Sequence, residues 1–110
     1  MKIGIDIIDV ARFADMKESS FSMFSDYERE YIKRKGAGAP KTMAGIYAAK
    51  EAYFKALGTG IGSPSNLQKC EIVHNESGMP IYNVSGKVLG NAALSISHTD
   101  TTAVAVCVLI

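Results

Sequence analysis

The sequence carries no excess of charge of one sign. Its 12 Lys and Arg face 11 Asp and Glu, for a formal charge of +1, so no broad field attracts nucleic acid or an acidic membrane, and a polyanionic partner must be met locally. Long hydrophobic runs are missing too. No stretch approaches the ~20 apolar residues of a membrane helix, and the opening Met1-Lys2-Ile3-Gly4-Ile5-Asp6 meets a carboxylate too early for a signal-peptide core. The expectation is a soluble, cytoplasmic protein. Cysteine is scarce: Cys70 and Cys107 both lie in apolar, strand-like segments without metal-ligand spacing, and are expected to be reduced and structural. There is no Pro/Gly/Ser-rich linker and no internal repeat, so residues 1–110 are read as one domain. A domain of that size hides only about two-thirds of its unfolded surface from water, and oligomerisation would help it. No Ser/His/Asp or Cys/His grouping is visible, and the aromatics do not interleave with lysines as in a nucleic-acid patch.

What is present alternates strand and helix signals. Ile3, Ile5 and Ile7 recur with period two, predicting a strand over Lys2 to Ile8 that points Asp6 to the opposite face. Asp9 is placed as an N-cap for a short helix through Val10, Phe13 and Ala14 toward Met16. Ser25 and Glu28 have capping-box spacing for a helix to about Arg34, and residues 35–40 read as a loop. The longest helix is predicted from Lys41 to Leu57, stopped by Gly58. It is apolar or small almost all round, so it should be largely enclosed. Its charged residues are Lys41, Lys50, Glu51 and Lys55, with Glu51 and Lys55 about 40° apart on one stripe; both are expected inside. Lys69–His74 and Ile81–Val84 read as a hairpin around the turn residues 75–78, and Leu94–Ser97 and Ala103–Leu109 as a second around His98-Thr99-Asp100-Thr101. Ser85–Ala93 is ambiguous between helix and loop. The fold class is α+β.

Several residues invite a chemical reading beside a structural one. Asp6 and Glu51, if close and enclosed, need a cation between them; a few hard oxygen ligands suit magnesium, which completes its shell with water and phosphate. The alternative is a turn aspartate and an ordinary Glu51/Lys55 pair. Lys55 can neutralise a leaving phosphate or simply face the helix C-terminus. Gly58-Thr59-Gly60-Ile61-Gly62 lacks the Walker pattern and follows a helix, so a helix stop and turn is its default. His98, at a strand end, can bind phosphate or a neighbouring carbonyl; His74, at a hairpin turn, is the weaker histidine.

Taken together, Gly4-Ile5-Asp6-Ile7, the block from Ala48-Ala49-Lys50-Glu51 through Lys55 to Gly62, and Ser95-Ile96-Ser97-His98-Thr99 resemble the holo-acyl-carrier-protein synthase family of 4′-phosphopantetheinyl transferases, in order and spacing over nearly the whole chain. The resemblance implies an antiparallel sheet packed on one long central helix and shorter helices. It implies transfer of 4′-phosphopantetheine from coenzyme A to a serine of apo-acyl carrier protein, releasing adenosine 3′,5′-bisphosphate. Asp6 and Glu51 resemble the magnesium ligands, and Lys55 the lysine that reaches the phosphate under attack. Glu51 and a metal-bound water both qualify as the base. His98, Thr99 and the loop carrying Gly58, Gly60 and Gly62 match positions bordering the nucleotide. The family's trimers imply a homotrimer with coenzyme between neighbours. Two departures stand out. Ile46 takes a place where the family usually has an arginine, so Lys41 or Lys50 is expected to supply that phosphate contact. The first helix, usually rich in basic residues that grip an acidic carrier, keeps only Arg12 and Lys17; Arg12 and Met16 are the expected carrier contacts, and the contact should be weaker. The competing readings are another magnesium-dependent phosphotransferase or nucleotide hydrolase, and an inactive oligomeric coenzyme A-binding module.

Overall fold

The computed structural model describes residues 1–15 and 18–110. Strand β1 spans Lys2–Asp9; helices α1, α2 and α3 span Asp26–Lys33, Ala39–Leu57 and Pro64–Lys69; strands β2 to β6 span Cys70–His74, Pro80–Val84, Lys87–Val88, Ala92–His98 and Thr102–Leu109. The strands form two antiparallel three-stranded sheets, ordered β1-β6-β5 and β2-β3-β4. The α+β expectation and both hairpins hold.

Three local readings need correction. Asp9 belongs to β1 and makes no side-chain cap; Val10–Phe13 is a single 3-10 turn, bringing Val10 and Phe13 into the core. Helix α2 begins two residues earlier than expected, because Pro40 in its first turn lacks only a donor that a helix start leaves free. The short helix α3, with Pro64 in its first turn, carries too brief an apolar pattern to be legible.

Helix α2 is the centre of the core, with Ala44, Ala48, Ala49 and Ala52 fully buried. Small residues let it lie almost on the backbone of β1. A Cβ at Gly4 would collide with the Ala52 carbonyl oxygen and come within 2.6 Å of the Ala56 nitrogen. That approach decides which face of β1 is inward. Gly4, Asp6 and Ile8 face α2, while Ile3, Ile5 and Ile7 stand outward at 69%, 60% and 68% exposure. In register beside them on β6 are the half-buried Val108, Val106 and Val104, and its inward residues are Ala103, Ala105 and Cys107. The alternation is as predicted, but the apolar stripe points away from the core.

Helix α1 is locked to α2 by a buried ionic node. The Ser25 hydroxyl accepts from Glu28 N at 3.2 Å, and Glu28 Oε1 accepts from Ser25 N at 2.8 Å, completing the predicted capping box. The same carboxylate accepts from Ile72 N at 2.7 Å and lies 2.8 Å from the Lys50 ammonium. Lys50 also donates to the carbonyls of Leu67 and, at 2.8 Å, Cys70. Both side chains are fully buried, and the Glu28 carboxylate serves three donors, from the α1 cap, α2 and β2, as a buried charge must.

Candidate active site

Where β1 passes α2, Lys55 Nζ donates to Asp6 Oδ1 at 3.0 Å and to the Ile5 carbonyl at 3.1 Å. The Asp6 side chain is only 12% exposed and that of Lys55 54%. The second Asp6 oxygen, Oδ2, is buried and has no hydrogen-bond partner among the described residues. A buried carboxylate oxygen without a donor is costly unless a cation or proton meets it. Glu51 lies one turn before Lys55 on the same stripe of α2 and is half-buried. Among the described residues no three His, Cys, Asp or Glu side chains cluster as a metal cage. Asp6 thus offers a free carboxylate oxygen beside an open cleft, a position that suits a hard divalent ion sharing its shell with water and a phosphorylated ligand. The cleft, about 300 Å³, is lined by Ile5, Asp6, Ile7, Lys55 and Val104.

The expectation that Glu51 and Lys55 lie inside therefore needs correction. The enclosed lysine of α2 is Lys50, and Lys55 reaches solvent at the cleft. Lys50 as a substitute phosphate ligand is likewise corrected: its ammonium is spent on Glu28 and two carbonyls.

A second cavity, about 210 Å³, gathers Lys41, Ile46, His74, Pro80, Ile96 and His98, among others. Lys41 and His98 thus line one cavity, apart from the Asp6/Lys55 cleft, and Ile46, at the position where a cation was expected, lines it with them. Lys41 lies 2.6 Å from Asp100 and, by that hydrogen bond and its charge, holds the Asp100 carboxyl below its ordinary range. Thr99 braces the β5–β6 turn, its Oγ1 accepting from Thr102 N at 3.1 Å and from Thr101 N at 3.3 Å. His74, the weaker histidine by sequence, lines the same cavity. It stacks on Tyr31 at 4.1 Å between centroids and shares a hydrogen bond with the Tyr27 hydroxyl at 3.1 Å; burial, then the charge of Lys35, lowers its pKa. Its spacing gave no hint of this, because Tyr31 and His74 are brought together only by packing.

Gly58 ends α2 in the left-handed conformation (φ 78°), as predicted, and Gly60 repeats it (φ 70°). An added Cβ at either would meet nothing within 4 Å, so the turn itself requires glycine. Gly62 continues the loop at φ 76°. Arg12, exposed on the 3-10 turn, lays its guanidinium 4.8 Å from the centre of the Tyr47 ring. Met16 and Lys17 lie outside the described residues.

Residues 2–107 match the 4′-phosphopantetheinyl transferase superfamily. The chain is 38% identical to the holo-[acyl-carrier-protein] synthase of Caldicellulosiruptor bescii over 96% of its own length and 94% of the relative's. It superposes on the crystal structure of a Bacillus anthracis holo-(acyl-carrier-protein) synthase in complex with CoA (3′,5′-ADP), with a TM-score of 0.84, 39% identity and coverage of 98% and 94% of the two chains. The coenzyme A complex of the Helicobacter pylori synthase matches with a TM-score of 0.79, 30% identity and coverage of 98% and 99%. With the strand carboxylate Asp6 and the helix lysine Lys55 paired at one cleft on this fold, the chain belongs to the 4′-phosphopantetheinyl transferase superfamily.

Proposed function

We propose that the chain is a holo-acyl-carrier-protein synthase, moving 4′-phosphopantetheine from coenzyme A to a serine hydroxyl of apo-acyl carrier protein. The observation that carries this reading is Asp6: one oxygen on Lys55, the other buried and unpartnered, at the mouth of an open cleft. Asp6 and Glu51 are the residues that would hold magnesium, which when bound supplies positive charge to the diphosphate of the coenzyme. Lys55, whose side chain is 54% exposed at the cleft, offers its ammonium to the departing phosphate. Glu51 is the side chain here suited to take the serine proton. The serine oxygen bonds to the pantetheine-bearing phosphorus, the bond from that phosphorus to the bridging oxygen breaks, and adenosine 3′,5′-bisphosphate leaves with the electron pair.

Lys41, His98 and Thr99 are assigned to the nucleotide phosphates and the loop of Gly58, Gly60 and Gly62 to the nucleotide's border. The apolar outer face of β1 and β6, with Ile3, Ile5 and Ile7 exposed, supports a homotrimer. The Asp6 cleft borders that face through Ile5, Ile7 and Val104, so a neighbour packed there would close it and add its own His98. Arg12 is assigned to the acidic carrier, together with Met16. Among the described residues no helix is long and apolar enough to cross a membrane, and the proposed setting is the cytoplasm, as a single domain.

Incubation with coenzyme A, magnesium and an apo carrier tests the reading. The carrier should gain one phosphopantetheine by mass while adenosine bisphosphate appears. Coenzyme breakdown without carrier modification would replace this reading with a hydrolase. Ile46 in the Lys41/His98 cavity favours, as a second reading, a silent coenzyme-binding module; tight coenzyme binding with an unaltered carrier would establish it.

A further inference from the structure

His74, the last residue of β2, lines the same cavity of about 210 Å³ as Lys41 on α2 and His98 on β5. No Asp or Glu lines it among the described residues, so its polar side chains favour an anion. The His74 ring is already held in place. It stacks on Tyr31 with centroids 4.1 Å apart, and its Nδ1 shares a hydrogen bond with the Tyr27 hydroxyl at 3.1 Å. A phenol is the better donor of that pair and an imidazole nitrogen the better acceptor, so Tyr27 donates and the ring's own proton sits on Nε2. Burial first, then the charge of Lys35, lowers the pKa of the ring, which keeps it uncharged at neutral pH, with one directional N–H to offer. Among the described residues Nδ1 is its only bonded nitrogen.

The geometry points to His74 as a binding residue for the coenzyme, its Nε2–H donating to the 3′-phosphate in the cavity that Ile46 leaves one cation short. The inference rests on the assignment of Lys41 and His98 to the nucleotide phosphates proposed above. Coenzyme A carries phosphate in two places, the diphosphate that is broken and the 3′-monoester. The diphosphate is needed at Asp6 and Lys55, and neither lines this cavity, so the monoester is the anion left for it. A neighbour that brings His98 to the Asp6 cleft brings His74 with it. Lys41 can turn to the phosphate without stranding its partner, because the Asp100 side chain is 91% exposed. A ring fixed by stacking and by Tyr27 loses little freedom when it takes up the ligand, and a hydrogen bond to a charged oxygen is among the stronger ones.

The test is the ratio of affinities for coenzyme A and 3′-dephospho-coenzyme A, which lacks only that phosphate, measured by titration calorimetry with magnesium in excess. An unfolded fraction lowers both affinities alike, so the ratio reads the contact and not the stability. His74→Phe keeps a ring to stack on Tyr31 and removes the N–H. It should bind coenzyme A about tenfold more weakly and 3′-dephospho-coenzyme A as the wild type does. KM for coenzyme A should rise by a similar factor with kcat nearly held, because this phosphate is not the one under attack. Tyr27→Phe, which frees Nδ1 to take the proton, should move the ratio the same way by less. An unchanged ratio in His74→Phe, or an equal loss of both ligands, would overturn the inference. Lys41→Met separates the two failures. If it reduces the preference for coenzyme A and His74→Phe does not, His74 alone is misassigned; if the wild type binds the two ligands alike, the assignment of the cavity to a nucleotide phosphate fails first.

Discussion

Of the three lysines on helix α2, Lys50 and Lys55 pair with carboxylates from other elements at nearly the same distance, 2.8 Å for Lys50 with Glu28 and 3.0 Å for Lys55 with Asp6. Their surroundings are opposite. The Glu28/Lys50 node is fully buried and its carboxylate accepts from two backbone amides as well as the ammonium. The Asp6/Lys55 pair opens on a cleft and leaves one buried oxygen without a donor. A saturated ion pair has no capacity left for a ligand and can only hold structure, whereas an unsaturated one beside an opening has a coordination position to offer. Distance alone would have ranked the two pairs equal.

The largest effect that could break this comparison is on stability. Lys50→Met should leave the Glu28 charge buried without its counter-ion and cost about 3–5 kcal/mol, measured by urea denaturation. Combining it with Glu28→Gln should cost less than the sum of the single changes. Additive losses, or a stable Lys50→Met protein, would mean that the node is not a coupled unit. Next is activity: Glu51→Gln or Asp6→Asn should lower carrier modification by about 100-fold or more with the melting temperature held or raised. Strong destabilisation in those variants would erase the distinction between the pairs.

A smaller effect concerns assembly. Ile5→Lys places a charge on the exposed sheet face next to Asp6; sedimentation should show monomers and transfer should fall, while circular dichroism keeps the native signature. An unchanged oligomer would remove that face from the interface. The smallest effect is on the pH profile. Burial raises the Glu28 pKa against the pull of Lys50, so the folded protein binds this proton more tightly than the unfolded chain. The corresponding stability is whole below the ordinary carboxyl value of 4.5 and is lost as pH rises through the raised folded value. Glu28→Gln should flatten that part of the profile even as it lowers the whole curve, and an unaltered slope would assign it to other groups.

Much of this was legible from local pattern. The capping box of Ser25 and Glu28, the left-handed stop at Gly58, the two hairpins and the opposition of Asp6 to the isoleucines are short-range properties, and each is present. The family resemblance rested on contiguous motifs around Asp6, Glu51–Gly62 and His98, and the match over residues 2–107 agrees with it. Tyr47 was not singled out and His74 was ranked the weaker histidine because their partners, Arg12 and Tyr31, lie far away along the chain. The burial of Lys50 was missed for a different reason. A helix that is small or apolar nearly all round has no polar face to show which of its charges points where, so adjacent Lys50 and Glu51 looked alike.

Periodicity, end signals and motif order, all written in neighbouring residues, determined by themselves the α+β elements and the class of chemistry. Only the tertiary structure decided which side of β1 faces inward, which lysine of α2 is structural and which stands at the cleft. The physical reason is contact between distant segments: Gly4 has no side chain to hold α2 away, so helix and strand approach backbone to backbone. That approach turns Asp6 toward Lys55 and leaves the isoleucines outside.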